Sequence, residues 1–92
     1  MEDAQILLTL KQNLELLHSA KDDYLTDLIK TAKEAIAREG IALGEDYEDL
    51  TLVVMYAAYF YRQRAGDGKM PMMLRSALNN KLVSQKATVA DV

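Results

Sequence analysis

The 92-residue chain has no cysteine, which removes two classes of small protein at once: a disulfide-stapled fold and a thiolate zinc site. Its single histidine, His18, has no second histidine or cysteine with which to build a metal centre. No apolar run reaches the roughly 18 to 20 residues of a membrane span. The stretch from Ile6 to Leu10 is too short, and too acidic at its start, for a secretory signal. The expectation is a soluble protein that works where it is made or is exported only as part of an assembly.

Catalytic signatures are missing as well. There is no Gly-rich phosphate loop and no nucleophile at motif spacing from a base. The acidic pairs Asp22-Asp23, Glu45-Asp46 and Glu48-Asp49 each fall where a helix should begin, so capping and the helix dipole account for them without a hard-cation site. No apolar pocket is in view that would raise the pKa of one carboxyl for glycosidase-like chemistry. The basic residues near the C-terminus, Lys69, Arg75, Lys81 and Lys86, are spaced six, six and five apart. Those offsets scatter around a helix instead of forming the basic stripe of a groove reader. The sequence therefore reads as neither an enzyme nor a specific nucleic-acid binder, with no cofactor.

What is present is apolar and helical. From Leu50 to Tyr61 eleven of twelve residues are apolar or aromatic, and Arg62, Gln63 and Arg64 follow at once. A helix apolar on nearly every side needs cover all round, and in so small a chain that cover is expected from other subunits. Charge is divided along the sequence: Met1 to Asp49 holds twelve acidic and five basic residues, whereas Gly68 to Ala90 holds four basic and no acidic ones. Either the two ends pair within one molecule, or unlike surfaces meet head to tail between copies.

Periodicity and punctuation predict an all-α fold: a compact bundle of three main helices plus a short N-terminal helix and a flexible C-terminal tail. Leu7, Leu10, Leu14 and Leu17 share helical spacing, with Asp3 or Thr9 as cap; an extended start and a short helix from about Leu10 to His18 are expected. Asp22 or Asp23 caps the second helix, on a stripe of Leu25, Leu28, Ile29, Ala32, Ala35 and Ile36, and Gly40 ends it. Asp46 caps the long apolar helix, which runs to Arg64 or Ala65 before Gly66-Asp67-Gly68. Pro71 opens a last helix carrying Leu74, Ala77, Leu78 and Leu82 and ending near Val83. The organisation expected is a helical domain over 1–83 and a mobile tail over 84–92. Tyr56, Tyr59 and Tyr61 read as packed anchors. Met70, Met72 and Met73 suit either core filling or a surface that packs against something variable.

The order of these features resembles the small all-helical head-tail connector proteins, or adaptors, of long-tailed double-stranded-DNA phages and prophages. The likeness rests on Leu8-Thr9-Leu10-Lys11 with Leu14, then Asp23, Leu25, Leu28-Ile29, Ala32 and Ala35-Ile36. It continues through Tyr47, Leu50 and Ala57-Ala58-Tyr59-Phe60-Tyr61-Arg62 to Pro71, Leu74 and Leu78, so it spans residues from about 8 to 83. The chain departs from the pattern just after the Tyr-Arg signature, where Gly66-Asp67-Gly68 makes only a short link and any longer functional loop is missing or reduced.

The resemblance implies a ring of about a dozen subunits that docks on a phage portal, leaves a channel for DNA and receives a stopper or tail-completion protein. Its place would be the head-tail interface of the virion, and the host cytoplasm during assembly. On that reading Tyr56, Tyr59, Tyr61, Arg62, Arg64, Arg75 and Lys81 pack core and subunits, while Met70, Met72, Met73, Lys86 and the tail meet the partner. Part of the set Asp22, Asp23, Asp27, Glu45, Asp46, Glu48 and Asp49 would face the channel, where carboxylates repel phosphates and let a duplex slide. The alternative is a small helical module that regulates another protein as a monomer or dimer through the same apolar surface.

Overall fold

The computed structural model describes residues 3–16, 18–64 and 69–90, with side chains as far as residue 86. Helices α1 (Asp3–Leu14), α2 (Asp22–Arg38), α3 (Tyr47–Arg64) and α4 (Met72–Ala90) form an all-α bundle, with no strand among the described residues.

The N-terminal element departs from expectation. α1 begins at Asp3 and is helical through the segment read as extended. Ile6 and Leu10, one turn apart, are its fully buried residues, with Leu7 and Leu14 half-buried beside them. Thr9 is no cap: its hydroxyl donates back to the Gln5 carbonyl at 2.9 Å, inside the helix. The helix stops before His18 because Glu15 takes a left-handed conformation at φ 58°. The Glu15 N–H then reaches Gln12 O at 3.2 Å and the Leu16 N–H reaches Lys11 O at 2.9 Å. Those are the two bonds of a Schellman stop, made here without glycine. Leu17 lies outside the described residues.

α2 follows its predicted stripe closely, burying Leu25, Ile29, Ala32 and Ile36. Lys21, not an aspartate, holds its N-cap position and makes no side-chain capping bond. Asp22 and Asp23 instead sit in the first turn, where negative charge favours the helix dipole. At the far end Gly40 adopts φ 93°, its N–H donates to Ala37 O at 3.0 Å, and the Ile41 N–H reaches Ile36 O at 3.4 Å. This second Schellman stop has glycine at the left-handed position, as expected, and both flanking isoleucines are in the core.

α3 is the centre of the molecule. Asp46 caps it, its Oδ1 accepting the Asp49 N–H at 3.0 Å. It packs against α1, α2 and α4, which together bury Leu50, Leu52, Val53, Val54, Tyr56, Ala57 and Ala58. The all-round apolar character thus has an intramolecular explanation: the cover expected from other subunits comes from three helices of the same chain. Ala57 and Ala58, almost fully buried, keep the waist of α3 narrow where neighbours press in.

Pro71 precedes α4, and its carbonyl accepts the first helical bond from Arg75 N–H at 3.1 Å. Leu74 and Leu78 are buried against α3, and Ala77 and Leu82 flank them. The helix continues seven residues past Val83 to Ala90, so most of the segment assigned to a tail is helical backbone; residues 91–92 lie outside the described residues. Gln85 explains part of this extension. Its amide accepts from Ala42 N–H at 2.9 Å and donates to Ala42 O at 2.8 Å, clasping the α2–α3 connector as a neighbouring strand would. Gln85→Ala should cost about 1 kcal/mol, the net value of such bonds when both groups can turn to water, and urea denaturation of the pair of proteins measures it.

Candidate functional site

Four ion pairs show how the uneven charge of the sequence is used. Lys11 meets Asp22 at 3.0 Å and Lys33 meets Asp3 at 2.6 Å, joining α1 to α2. The Lys33 ammonium holds the Asp3 carboxyl below its ordinary pKa, first by hydrogen bonding and then by its charge. Arg75 meets Glu39 at 2.9 Å and Lys81 meets Asp49 at 2.9 Å, joining α4 to the rest of the bundle. Two of the four C-terminal cations are therefore spent inside the molecule, as the internal-pairing alternative requires. Arg75 and Lys81, expected at a subunit boundary, fasten α4 to its own chain.

The Lys81–Asp49 pair is the most enclosed polar group described. Asp49 is 2 % exposed, and the Lys81 side chain is 15 % exposed. Asp49 Oδ2 accepts the Gly44 N–H, and a Cβ at Gly44 would stand 3.1 Å from that oxygen, so glycine is what lets the connector approach. Asp49 Oδ1 is left for Lys81 Nζ. Hydrogen bonding to Asp49 raises the Lys81 pKa above its ordinary value, against the opposing effect of burial. Asp49 cannot face a channel; it is removed from that set because it is a buried carboxylate that accepts the Gly44 N–H and pairs with Lys81.

Tyr56 has a similar structural role. It is 7 % exposed, and its hydroxyl donates to Glu39 Oε2 at 3.3 Å while Arg75 holds Glu39 Oε1. Burial, followed by the Glu39 charge, pushes the Tyr56 hydroxyl above its ordinary pKa. The Tyr56 ring touches Tyr59 and Phe60, with centroids 6.1 and 5.1 Å away. Tyr56 is thus a core anchor, whereas Tyr59 is half-buried at the core margin.

Among the described residues, two open clefts lie at opposite ends of α3. The first, about 450 Å³, is lined by Ala20, Lys21, Tyr24, Tyr61 and Arg64. Lys21 Nζ lies 2.9 Å from the Tyr61 hydroxyl, Arg64 lies 5.4 Å from the Tyr24 ring centre, and the two rings are 6.3 Å apart. Arg62, next to this cleft in sequence, reaches Asn13 Oδ1 at 3.4 Å. The second cleft, about 420 Å³, runs between α3 and α4 along Tyr47, Glu48, Thr51, Leu52, Met55, Ala77 and Asn80. It is mainly apolar, with Glu48 as its acidic lining residue. Tyr47 is 78 % exposed, and Met72 and Met73 at the start of α4 are exposed as well.

The remaining expected site residues are dispersed. Asp23, Asp27, Glu45, Asp46 and Glu48 are exposed, although Asp46 is engaged as a cap, Glu48 lies 3.7 Å from Lys81, and Asp22 is paired with Lys11. Lys86 is exposed, and Met70 is half-buried against the core. The Gly66-Asp67-Gly68 link lies outside the described residues. Among the described residues no cluster of His, Asp or Glu is arranged to hold a metal. Lys21 and Tyr24 of the first cleft carry no motif. The available signal is Tyr24, one turn before Leu28 and so on the margin of the apolar stripe of the same helix. Comparison with known proteins returns no match: no family model, curated protein or solved structure is similar to the chain at a significant level.

Proposed function

We propose that this protein is a structural head-tail connector, a ring-forming adaptor that docks on a phage portal and receives a stopper or tail-completion protein. The observation that carries the reading is the presence of two unlike open clefts, one cationic and aromatic at the C-terminal end of α3, the other mainly apolar with Glu48 at its edge, at the N-terminal end. A cyclic ring requires two different surfaces on every subunit, whereas a twofold dimer requires one surface that meets itself. The order of features that resembles connectors, from Leu8 to Leu78, supplies the specific assembly. Of the acidic set proposed for the channel wall, Asp27 in the body of α2 is the exposed candidate that is not a cap, not in the first turn of a helix and not in an ion pair of the described residues, and Asp23 in the first turn of α2 is exposed as well.

The exposed Met72 and Met73 suit contact with the partner, because thioethers adapt to irregular apolar surfaces. Electron microscopy of the protein mixed with the portal encoded beside it, with mass measurement in parallel, tests the proposal. Ring-shaped density added at the narrow end of the portal is the expected result. Absence of association over a wide concentration range would favour the second reading, a small regulatory module. That reading draws on the mainly apolar cleft between α3 and α4, a surface of the kind that receives an amphipathic helix.

A further inference from the structure

The two clefts are complementary, and the geometry of α3 prevents one molecule from using both on itself. Tyr47 and Arg64 are the first and last residues of this 18-residue helix. At about 1.5 Å per residue they stand roughly 26 Å apart. Tyr47 is the most exposed aromatic side chain described, and the exposed carboxylates of Asp46, which also caps α3, and Glu48, 3.7 Å from Lys81, flank it, so it forms an aromatic knob with a carboxylate collar. At the other end Lys21 and Arg64 flank the rings of Tyr24 and Tyr61, and neither cation lies within ion-pair distance of a carboxylate among the described residues. Asp22, the nearest acid in sequence to Lys21, is held by Lys11.

We infer that the occupant of the Lys21/Tyr24/Tyr61/Arg64 cleft is the Tyr47 knob of a second copy of this chain. The Tyr47 ring packs on the open side of the Tyr24–Tyr61 pair, whose ring centres are already 6.3 Å apart, where tilted and edge-on aromatic pairing favours it. The collar carboxylates meet Lys21 and Arg64, so desolvation of the cations on contact is offset by charges of opposite sign. Each copy offers a knob at one end and a cleft at the other. The contact is therefore heterologous and propagates from copy to copy until a rotation closes it. This inference rests on the ring reading above and names its subunit interface, moving it from Arg75 and Lys81, which the fold consumes, to the two ends of α3.

The absence of native cysteine makes a covalent test specific. In the double variant Ala20→Cys/Thr51→Cys, one thiol sits at each proposed surface, and Tyr47 and its flanking carboxylates are retained. Treatment with a short bis-maleimide should produce a ladder of covalent multimers. Ala20→Cys/Glu34→Cys, whose second thiol lies on the exposed outer side of α2, should produce about tenfold less. Adding Tyr47→Ala or Arg64→Glu to the first variant should each reduce the ladder about tenfold, with the helical circular-dichroism spectrum unchanged. Raising the salt concentration should reduce it severalfold, because exposed charges are screened. A ladder no stronger than the control pair, or one indifferent to Tyr47→Ala and Arg64→Glu, overturns the inference. Chemical capture accumulates brief encounters, so a protein that is monomeric in dilute solution still answers. Portal-bound rings without the ladder would refute this interface and leave the connector reading standing; the ladder without portal binding would do the reverse.

Discussion

Asp49→Ala should destabilise the protein by about 3–5 kcal/mol, the usual loss when one member of a buried ion pair is removed. In a domain whose whole stability is on the order of 5–15 kcal/mol, that leaves a substantial unfolded fraction. Three connections fail together: the acceptor for Gly44 N–H, the partner of Lys81, and through Lys81 the docking of α4 on α3. Lys81 retains some access to water, which favours the lower end of the range. Urea denaturation followed by circular dichroism gives the number. The double variant Asp49→Asn/Lys81→Met should recover much of the loss, because it restores an acceptor for Gly44 and leaves no unpaired ammonium. A single-variant loss below about 1 kcal/mol would show that the pair is a surface pair in practice.

The same pair sets an alkaline limit on stability. The folded pKa of Lys81 lies above its ordinary value of 10.5. Its contribution is therefore complete below the unfolded pKa and is lost as pH rises through the folded one. At the acidic end Asp3 has a depressed pKa, so its smaller contribution is present above the unfolded value of 3.8 and is lost as pH falls through the folded value. A stability profile of Asp49→Asn should show a weaker decline at high pH than the parent.

The second large effect belongs to Ile6. Ile6→Ala should cost about 2–5 kcal/mol, the range for truncating a large buried aliphatic side chain, because Ile6 is fully enclosed between α1 and the rest of the core. An extended N-terminal arm with its first helical turn at Leu10 would make the same substitution nearly neutral. Leu8→Ala, on the exposed side of the same helix, is the matched control and should change stability by less than about 0.5 kcal/mol. Urea midpoints of the two variants therefore report whether α1 is part of the core in solution.

Ile6 also shows where sequence reading stops. The leucines at 7, 10, 14 and 17 satisfy helical spacing, but the stripe that is buried runs through Ile6 and Leu10, rotated toward α3. Periodicity identifies a helix and its apolar side to within one residue of rotation; only the neighbour decides which residue is innermost. The α1 terminus was hidden because Glu15 occupies the left-handed stop that glycine usually marks. Gly40 makes the same stop with the expected residue, so the end of α2 was legible. The continuation of α4 was hidden for a related reason: Gln85 has no pattern in sequence and gains its role only when Ala42 is brought beside it.

The candidate surfaces divide in the same way. That α3 would be surrounded was determined by its composition, since apolar side chains on every face cannot remain in water. Which molecules surround it was not, because burial is indifferent to whether the covering helix belongs to the same chain. The number, order and type of helices, the Asp46 cap and the Gly40 stop are local in origin, set by backbone preference and hydrogen bonds a few residues long, and the sequence alone determined them. The pairing of Lys81 with Asp49, the Glu39–Arg75–Tyr56 connection and the cleft that brings Lys21 and Tyr24 beside Tyr61 and Arg64 join residues distant in the chain. Only the tertiary structure decided those, because charge and exposure depend on which neighbours folding brings within a few ångströms.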